Sequence, residues 1–369
     1  MEFSQIKLGD VVSVTDIRNT DLSITLLLGI SNTKKMIPSI ANINGTDLST
    51  YKIVKKNQFA YIPTTSRNGD KVSIAMLKEA NECIVSSSYI TFEIVKPDII
   101  DADYLMLFFG RPEFDRYARF NSWGTAREVF SWEDFCSMTI AIPSLDEQKK
   151  FVRQYNTIIN RIDVLERLNK KLEDAFMISF KILYFGEKDF EYGKMKDLIQ
   201  LKRNTIQASD VKSLPYAPID ALPKHSLLIK EYSPSHEAQS SLITFEPFDI
   251  LIGAMRVYFH RVCLALEHGV TRSTCFVLKP YNELYRYYAV GLCNLEETIA
   301  YANAHSEGTT MPYAVWDNGL DIYNIKIITD ENKILSFNQS SDVIFKNIKR
   351  NIDEIKVLTI LKKQLVSKL

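Results

Sequence analysis

The sequence predicts an α+β protein with two similar domains separated by two long antiparallel coiled-coil helices and related by an approximate twofold axis. Three observations support this fold class: an internal repeat, strand-rich segments that precede a helix in each half, and two stretches with a heptad pattern. With 369 residues, 46% of them apolar, the chain can bury two sizeable cores.

An internal repeat relates the two halves of the chain. Residues 117–149 align with residues 301–333 without a gap, and nine of the 33 aligned positions are identical. Average composition would give about two identities. The repeat includes NSWGTAREVFSWEDF at 121–135 and HSEGTTMPYAVWDNG at 305–319. The chain is therefore predicted to be a tandem of two similar halves.

Strands open each half, and a helix follows. Segments rich in β-branched and aromatic residues predict the strands, among them VVSVTDI and SITLLLGI in the first half and FDILIGA and HRVCLALE in the second. The next segments, DADYLMLFFGRPEFDRYARF and ELYRYYAVGLCNLEETIAYANAH, place apolar residues three to four positions apart, which predicts helices.

A long helix is predicted at the end of each half. Residues 146–183 carry apolar residues at alternating steps of four and three, the pattern of a coiled coil, and Ser144 with Glu147 predicts a capping box at its start. The last 40 residues repeat the pattern more weakly. If the helices pair antiparallel, Asn169 can approach Thr359. The predicted organisation is a first domain at 1–145, a first helix at 146–185, a second domain at 186–329 and a second helix at 330–369.

Composition restricts the function classes. The 45 basic and 45 acidic residues balance, which disfavours an indiscriminate nucleic-acid binder but allows a local basic face. Five cysteines form no CxxC pair, and the start MEFSQIKLGD lacks the features of a signal peptide, so we expect a cytoplasmic protein. No apolar run approaches the ~20 residues of a membrane span, so we expect no membrane partner.

Motifs of common enzymes are missing from the sequence. It contains no GxxxxGK[ST], GxGxxG or G-x-S-x-G pattern, and it lacks the Pro-Pro of the [DNS]PP[YFW] tetrapeptide of adenine methyltransferases. Pro97-Asp98 with Glu147 and Lys149 imitates a metal-dependent nuclease, but the capping box already explains Glu147. A second set has the residue types of zinc ligands, but strand alternation puts its first two members on opposite faces, so we favour a partnered histidine and a buried cysteine. It comprises His260, Cys263, His268 and Cys275.

Several motifs carry a family resemblance that covers nearly the whole chain. They are KLGDVVSV, KKNQFAYIPTT and RPEFDRYARFNSWGTAREVFSWEDFCSMTIAIPSLDEQKKFV in the first half, and LPYAPIDALP and FEPFDILIGAMRVYFHRVCLA in the second. With these motifs the chain resembles the specificity (S) subunit of a type I restriction-modification system. The second copy departs from the pattern, with ITDENK in place of PSLDEQ.

The resemblance implies a non-catalytic DNA-binding subunit. Each domain would recognise one half of a bipartite, asymmetric target in double-stranded DNA, while the two helices set the gap between the halves. It also implies two methyltransferase (M) subunits as partners and restriction/translocase (R) subunits in the full complex. The chain itself would need no cofactor, since S-adenosylmethionine, ATP and Mg²⁺ would be bound by those partners.

Polar residues at strand ends are the candidates for DNA contact, because their side chains can reach base edges or phosphates. In the first half these are Lys34, Lys35, Tyr61, Arg67, Asn68, Lys71 and Arg127. In the second half they are Arg256, Tyr258, Arg272, Ser273 and Thr310. The alternative for each is a solvated surface charge or an aromatic residue at the edge of the core.

Two other functions stay open at this stage. A duplicated protein–protein scaffold without DNA contact would agree with the zero net charge. A fragment of an enzyme fused to a methyltransferase is disfavoured, because we expect the 369 residues to contain two complete repeats. A bipartite DNA consensus would separate the specificity subunit from both.

Overall fold

The computed structural model describes residues 3–39, 45–64, 71–123, 128–211, 214–238 and 241–369. The chain divides into two compact units. Unit 1 contains Met1–Arg161 and Leu358–Leu369, and unit 2 contains Ile162–Val357.

Short strands form the sheets of unit 1. They are β1 (Ser4–Lys7), β2 (Val12–Thr15), β3 (Leu28–Ile30), β4 (Met36–Pro38), β5 (Lys52–Lys55), β6 (Phe59–Tyr61), β7 (Ile74–Met76), β8 (Glu82–Val85), β9 (Ile90–Ile94) and β10 (Thr139–Ile142). Strands β2, β9, β6 and β7 lie side by side in that order, each antiparallel to its neighbour. Antiparallel pairs also join β1 to β10, β3 to β4 and β5 to β8.

The helices of unit 1 pack with these strands in an aromatic core. They are α1 (Ala102–Phe109), α2 (Pro112–Phe120), α3 (Trp132–Ser137) and the first turns of α4 (Leu145–Gly186). Asp101 caps α1 by accepting from the Tyr104 N–H at 3.0 Å, and Pro112 occupies the first turn of α2. The rings of Phe59 and Phe92 stack at 4.9 Å. Each buried phenylalanine contributes about 1.5–3 kcal/mol, so this core is a major source of stability.

Unit 2 has two sheets of similar size and two short pairs. Its strands are β11 (Phe190–Lys194), β12 (Ile199–Leu201), β13 (Thr205–Gln207), β14 (Tyr216–Ala217), β15 (Ser241–Phe245), β16 (Ile250–Gly253), β17 (Val262–Leu264), β18 (Gly269–Thr271), β19 (Cys275–Pro280), β20 (Ser306–Glu307), β21 (Tyr313–Ala314) and β22 (Asn324–Ile328). One sheet has the order β12, β19, β16, β17, and the other has the order β13, β15, β18, β14. The pairs are β11 with β22 and β20 with β21.

Helices complete the core of unit 2. They are α5 (Met195–Leu198), α6 (Arg286–Cys293), α7 (Glu296–Ala304) and α8 (Glu331–Val366), together with the part of α4 in this unit. Helix α6 approaches α4 so closely that a Cβ on Gly291 would lie 2.3 Å from Cγ of Phe180. Asp330 caps α8 by accepting from the Asn332 N–H at 3.0 Å. This cap starts α8 although the ITDENK segment departs from the first copy.

The internal repeat is present in the structure. Helices α1 and α6 occupy matching positions 184 residues apart, as do α2 and α7. The sheet order β2, β9, β6, β7 recurs as β12, β19, β16, β17. Ser122 Oγ donates to Ala118 O at 2.6 Å, and Ser306 Oγ donates to Ala302 O at 2.8 Å. These correspondences confirm the predicted duplication of an α+β fold.

The two long helices pair antiparallel within unit 2, as predicted. Asn351 Nδ2 donates to Asn169 Oδ1 at 2.8 Å, so the suggested approach of Asn169 to Thr359 is wrong. About two helical turns further along α4, the Phe176 ring contacts the Phe345 ring, with centroids 5.0 Å apart. No helix in the described part of the chain is long and apolar enough to cross a membrane.

The buried face of α4 departs from the predicted heptad at Glu173, which is buried in place of Leu172, and again after Phe176. The heptad predicts Ser179 on the seam, but Ser179 is exposed and Phe180 is buried. Buried residues in this helix then include Leu165, Asn169, Glu173, Phe176, Phe180 and Tyr184. Their steps of four, four, three, four and four follow the true period of an α-helix, near 3.6 residues, more closely than 3.5.

Candidate nucleic-acid interface

Three loops of unit 2 are joined by backbone hydrogen bonds. The Ala254 N–H donates to Thr274 O at 2.9 Å, and the Ala254 carbonyl accepts from the Ala314 N–H at 2.9 Å. The Arg256 N–H donates to Pro312 O at 2.7 Å. We name this connected surface the loop cluster. It consists of residues 254–260, 271–275 and 306–314.

Arg256 stands out within the loop cluster by its backbone geometry. Its φ is 50°, in the left-handed region that residues other than glycine rarely adopt. The side chain is half-buried, and its Nε is buried without a hydrogen-bond partner among the described residues. The terminal Nη groups of a half-buried guanidinium suit a bidentate contact with guanine or with phosphate.

The other predicted residues of unit 2 lie on the same cluster. Tyr258 is 47% exposed, and Arg272, Ser273 and Thr310 are exposed. Burial raises the pKa of Tyr216, while the charge and a hydrogen bond of Arg272 act in the opposite direction, so Arg272 already has one protein contact. The structure therefore brings all five predicted residues together, and their contact with DNA stays a prediction.

A groove of about 1060 Å³ in unit 1 is lined by three predicted residues, Lys34, Lys35 and Lys71, of which Lys34 is discussed below. Lys35 and Lys71 are exposed. Lys78 also lines the groove and pairs with Asp103 at 2.5 Å. Exposed lysines suit phosphate contacts, since each ammonium is a mobile point charge with three donors. The groove is the candidate interface of unit 1.

Lys34 requires a correction, because its side chain is already used within the protein. Its Nζ lies 2.7 Å from Asp115 Oδ1 and also donates to Phe109 O, and the side chain is 8% exposed. Burial lowers the pKa of Lys34, and Asp115 opposes this shift. Asp115 Oδ1 also accepts from the Val72 N–H at 3.0 Å. Lys34 therefore holds the β3–β4 turn against α1 and α2.

Tyr61 also requires a correction. It is 0% exposed, and its ring stacks on Phe135 at 5.3 Å in the core of unit 1. Desolvation raises the pKa of Tyr61 well above the ordinary value. A residue in this position stabilises the fold and does not reach a DNA surface. Three further predicted residues, Arg67, Asn68 and Arg127, lie outside the described residues.

The first part of the chain matches a known protein family. Residues 2–174 match the family model described as Type I restriction modification DNA specificity domain. Residues 2–174 therefore carry a type I restriction-modification DNA specificity domain. The match supports DNA sequence specificity as the role of this part of the chain, as the resemblance implies.

A solved structure with a TM-score above 0.5 has a similar fold. The S subunit of a type I restriction-modification system from M. genitalium is 12% identical, with a TM-score of 0.62, over 100% of this chain and 96% of that one. This likeness supports the fold of two domains with long helices. The HsdS subunit from Thermoanaerobacter tengcongensis is 15% identical, with a TM-score of 0.40, over 99% of this chain and 96% of that one. The comparison with curated proteins gives no match.

The sequence did not identify one wall of the groove in this specificity domain. Tyr155, Asn156 and Asn160 of α4 line it, although the sequence assigns α4 only to spacing and docking. Both asparagines are exposed. Their i, i+4 spacing places them on one helix face, and this polar pair beside the seam was the available signal.

The nuclease-like set in the specificity domain has a structural explanation. Glu147 Oε1 lies 3.6 Å from Lys150 Nζ, and its Oε2 is buried without a hydrogen-bond partner among the described residues, so the structure does not show the predicted capping box with Ser144. Gln148 holds the start of α4 instead, by donating from Nε2 to Ile99 O and Pro143 O, both at 2.9 Å. The charged residues at this helix start therefore serve local structure.

The four residues of zinc-ligand type noted in the sequence, His260, Cys263, His268 and Cys275, do not converge either. The Cys263 thiol is fully buried and donates to Ser226 O at 3.5 Å. Burial raises the pKa of this thiol, which disfavours the thiolate that a metal needs. Among the described residues, the one group with metal-ligand spacing is His225, His260 and Glu296, which shares only His260 with the predicted set.

Proposed function

We propose that each unit of this specificity chain recognises one half of a bipartite, asymmetric DNA target. The observation that carries the proposal is the duplicated fold. The sheet order of unit 1 recurs in unit 2, and helices α1 and α2 recur as α6 and α7. Each unit also has a polar surface of its own, the groove in unit 1 and the loop cluster in unit 2. Duplicated readers suit a target with two parts, since one turn of B-DNA repeats every ~34 Å.

The long helices are proposed to set the gap between the half-sites and to dock two M subunits. Within unit 2 they expose apolar side chains on both members of the pair. Ile178 and Ile182 of α4 are 59% and 70% exposed, and Val343 and Val357 of α8 are also exposed. Exposed apolar residues on a paired helix support a protein-binding surface. R subunits would join in the restricting complex.

Methyl transfer and DNA cleavage are proposed to reside in those partners. The M subunits would bind S-adenosylmethionine, and the R subunits would bind ATP and Mg²⁺. The chain would then act without a cofactor of its own in DNA recognition, in the cytoplasm where the DNA lies. The balanced charge supports this division, because a chain without excess positive charge gains little from counterion release on its own.

Selection from random duplex DNA tests the proposal. The full chain is purified together with its M subunits, and bound duplexes are recovered and sequenced at moderate salt. We expect a consensus with two specified parts and an unspecified gap of fixed length. Recovery without any sequence preference would overturn the proposal and favour the scaffold without DNA contact.

A further inference from the structure

Three side chains with metal-binding atoms converge in unit 2, at the edge of the loop cluster. They are His225, His260 and Glu296, and one ligand atom from each lies within 4.8 Å of the others. Nδ1 of His260 lies 3.3 Å from Glu296 Oε1, and Nδ1 of His225 lies 4.0 Å from the same oxygen.

The backbone holds these three residues in place. His260 ends a turn in the left-handed region, with φ of 50°, and His225 has φ of 51°. The His225 N–H donates to His260 O at 2.9 Å, and the two rings lie 4.8 Å apart. Glu296 is the first residue of α7. The backbone therefore holds all three residues near one another, although the side chains of His225 and Glu296 are themselves exposed.

The hydrogen bond at the far side of the His260 ring selects its tautomer. Nε2 of His260 lies 2.8 Å from Asn294 Oδ1. Because an amide oxygen only accepts, Nε2 is the donor of this bond, and Nδ1 is the ring nitrogen left to bind a metal. Metal-bound histidines are oriented in the same way, through a donor bond from the second ring nitrogen.

A buried ring nitrogen of His260 faces Glu296. The His260 side chain is 4% exposed, and its Nδ1 has no hydrogen-bond partner among the described residues. Nδ1 therefore faces a carboxylate oxygen at 3.3 Å while shielded from water. A positive charge between these two atoms is favoured, and a bound metal ion or a proton on Nδ1 supplies it.

We propose that His225, His260 and Glu296 bind a divalent transition-metal ion of the zinc class. Two imidazoles and one carboxylate match a common zinc ligand set, and imidazole nitrogen disfavours Mg²⁺ and Ca²⁺. Zn–ligand bonds of about 2.0–2.1 Å in a tetrahedron place neighbouring ligand atoms about 3.4 Å apart. The His260–Glu296 distance of 3.3 Å meets this value, and the exposed His225 side chain has to move closer to the other two ligands.

The metal would stabilise the turn that carries the strongest DNA-contact candidates. Arg256 and Tyr258 lie in the same short turn as His260, at residues 256–260. A bound ion would join this turn to His225 and to the start of α7. The inference concerns metal binding and local stability, so it holds or fails independently of the proposed DNA recognition.

Zinc titration of the metal-stripped full chain tests the inference. We expect one equivalent of Zn²⁺ to bind in competition with a chromophoric chelator and to raise the melting temperature. His225→Ala and Glu296→Gln each remove an exposed ligand, and each should weaken binding by about tenfold or more. His268→Ala, at an exposed histidine of the same unit outside the trio, is the matched control and should bind as the wild type does.

Co²⁺ substitution identifies the ligands. We expect visible d–d absorption of a tetrahedral site without thiolate charge-transfer bands, because the proposed ligands contain no sulfur. Absence of saturable Zn²⁺ binding would overturn the inference and leave a protonated His260 facing Glu296. Binding that is unchanged in both ligand variants, or thiolate bands with Co²⁺, would overturn it as well.

Discussion

Two adjacent lysines, Lys34 and Lys35, have different roles although their residue type is the same. The Lys34 ammonium balances the buried Asp115 carboxylate, whereas Lys35 is exposed beside the groove. Lys34→Ala should destabilise unit 1 by about 3–5 kcal/mol, since it leaves a buried carboxylate without its partner. Lys35→Ala is the control and should change stability by about 0.5 kcal/mol or less. Chemical denaturation of both variants measures the difference, and equal effects would contradict the assignment.

A second residue-scale prediction concerns Tyr61. Its hydroxyl is 3.5 Å from Phe130 O, a weak hydrogen bond, whereas its ring fills the core. Tyr61→Phe should therefore be nearly neutral, and Tyr61→Ala should cost about 3–5 kcal/mol. Denaturation curves of the purified chain give both values. A stable Tyr61→Ala variant that had lost only DNA binding would return Tyr61 to the interface.

Residue type predicts candidate sites better than it predicts burial. Arg256, Tyr258 and Thr310 lie in turns marked by local sequence, and the structure places them on one surface. The sequence could not show that Lys34 meets Asp115, because 81 positions separate them and no local pattern links the two. Tyr61 ends an apolar strand. A tyrosine at such a position can either present its hydroxyl to a ligand or pack its ring in the core, and the sequence does not distinguish the two.

At the element scale, one polar pair specifies how α4 and α8 meet in unit 2. Asn169 and Asn351 are both buried and bond to each other. Asn169→Leu should destabilise the helix pair by about 1–3 kcal/mol, because it leaves the Asn351 amide buried without a partner. Adding Asn351→Leu should recover most of the loss, with a coupling energy of about 0.5–3 kcal/mol in a double-mutant cycle. Additive effects of the two changes would show that the pair does not fix the register.

An ion pair between Lys333 near the start of α8 and Glu187 after α4 predicts a pH effect. Its atoms lie 2.5 Å apart. The hydrogen bond from Lys333, with the backbone N–H groups of Asp189 and Lys188, lowers the pKa of Glu187 from 4.5 to about 2. The ionised form is favoured in the folded state, so this stabilisation is present above pH 4.5 and is lost as the pH falls towards 2.

Glu187→Gln should consequently flatten the dependence of unfolding free energy on pH within that window. Glu191→Gln, at an exposed position on β11, is the control and should keep the wild-type slope. Urea denaturation at several pH values between 2 and 5 measures the slopes, with the window taken from the Glu187 pKa shift. A wild-type slope in Glu187→Gln would exclude this ion pair as a source of acid sensitivity.

Helix periodicity made α4 the most predictable element. The predicted range 146–183 lies within the observed Leu145–Gly186. The seam was fully predictable only as far as Asn169, because a heptad assumes a single partner helix. Beyond it, α4 also packs on α6 at Gly291, and this additional contact widens the buried face.

At the scale of the whole molecule, the duplication was predictable and the recognition surfaces only partly so. Nine identities sufficed to predict a repeated fold, because buried and turn positions constrain residue type in both halves. Surface loops carry no such constraint. The contribution of α4 to the groove also depends on tertiary packing, which local sequence patterns do not encode.

If the two units read separate half-sites, then substitutions in one unit should affect only its own half of the target. Arg256→Ala should relax specificity at one or two base pairs of one half-site, by about 1–3 kcal/mol each, while the consensus of the other half is retained. Lys71→Ala, in the groove of unit 1, is the reciprocal variant. It should weaken binding mainly because a phosphate contact is lost. The binding constant should then depend less steeply on salt concentration, and the consensus should be unchanged. Quantitative binding of the complex with its M subunits to duplexes altered in either half measures both effects, and equal loss of specificity at both halves in Arg256→Ala would contradict independent reading.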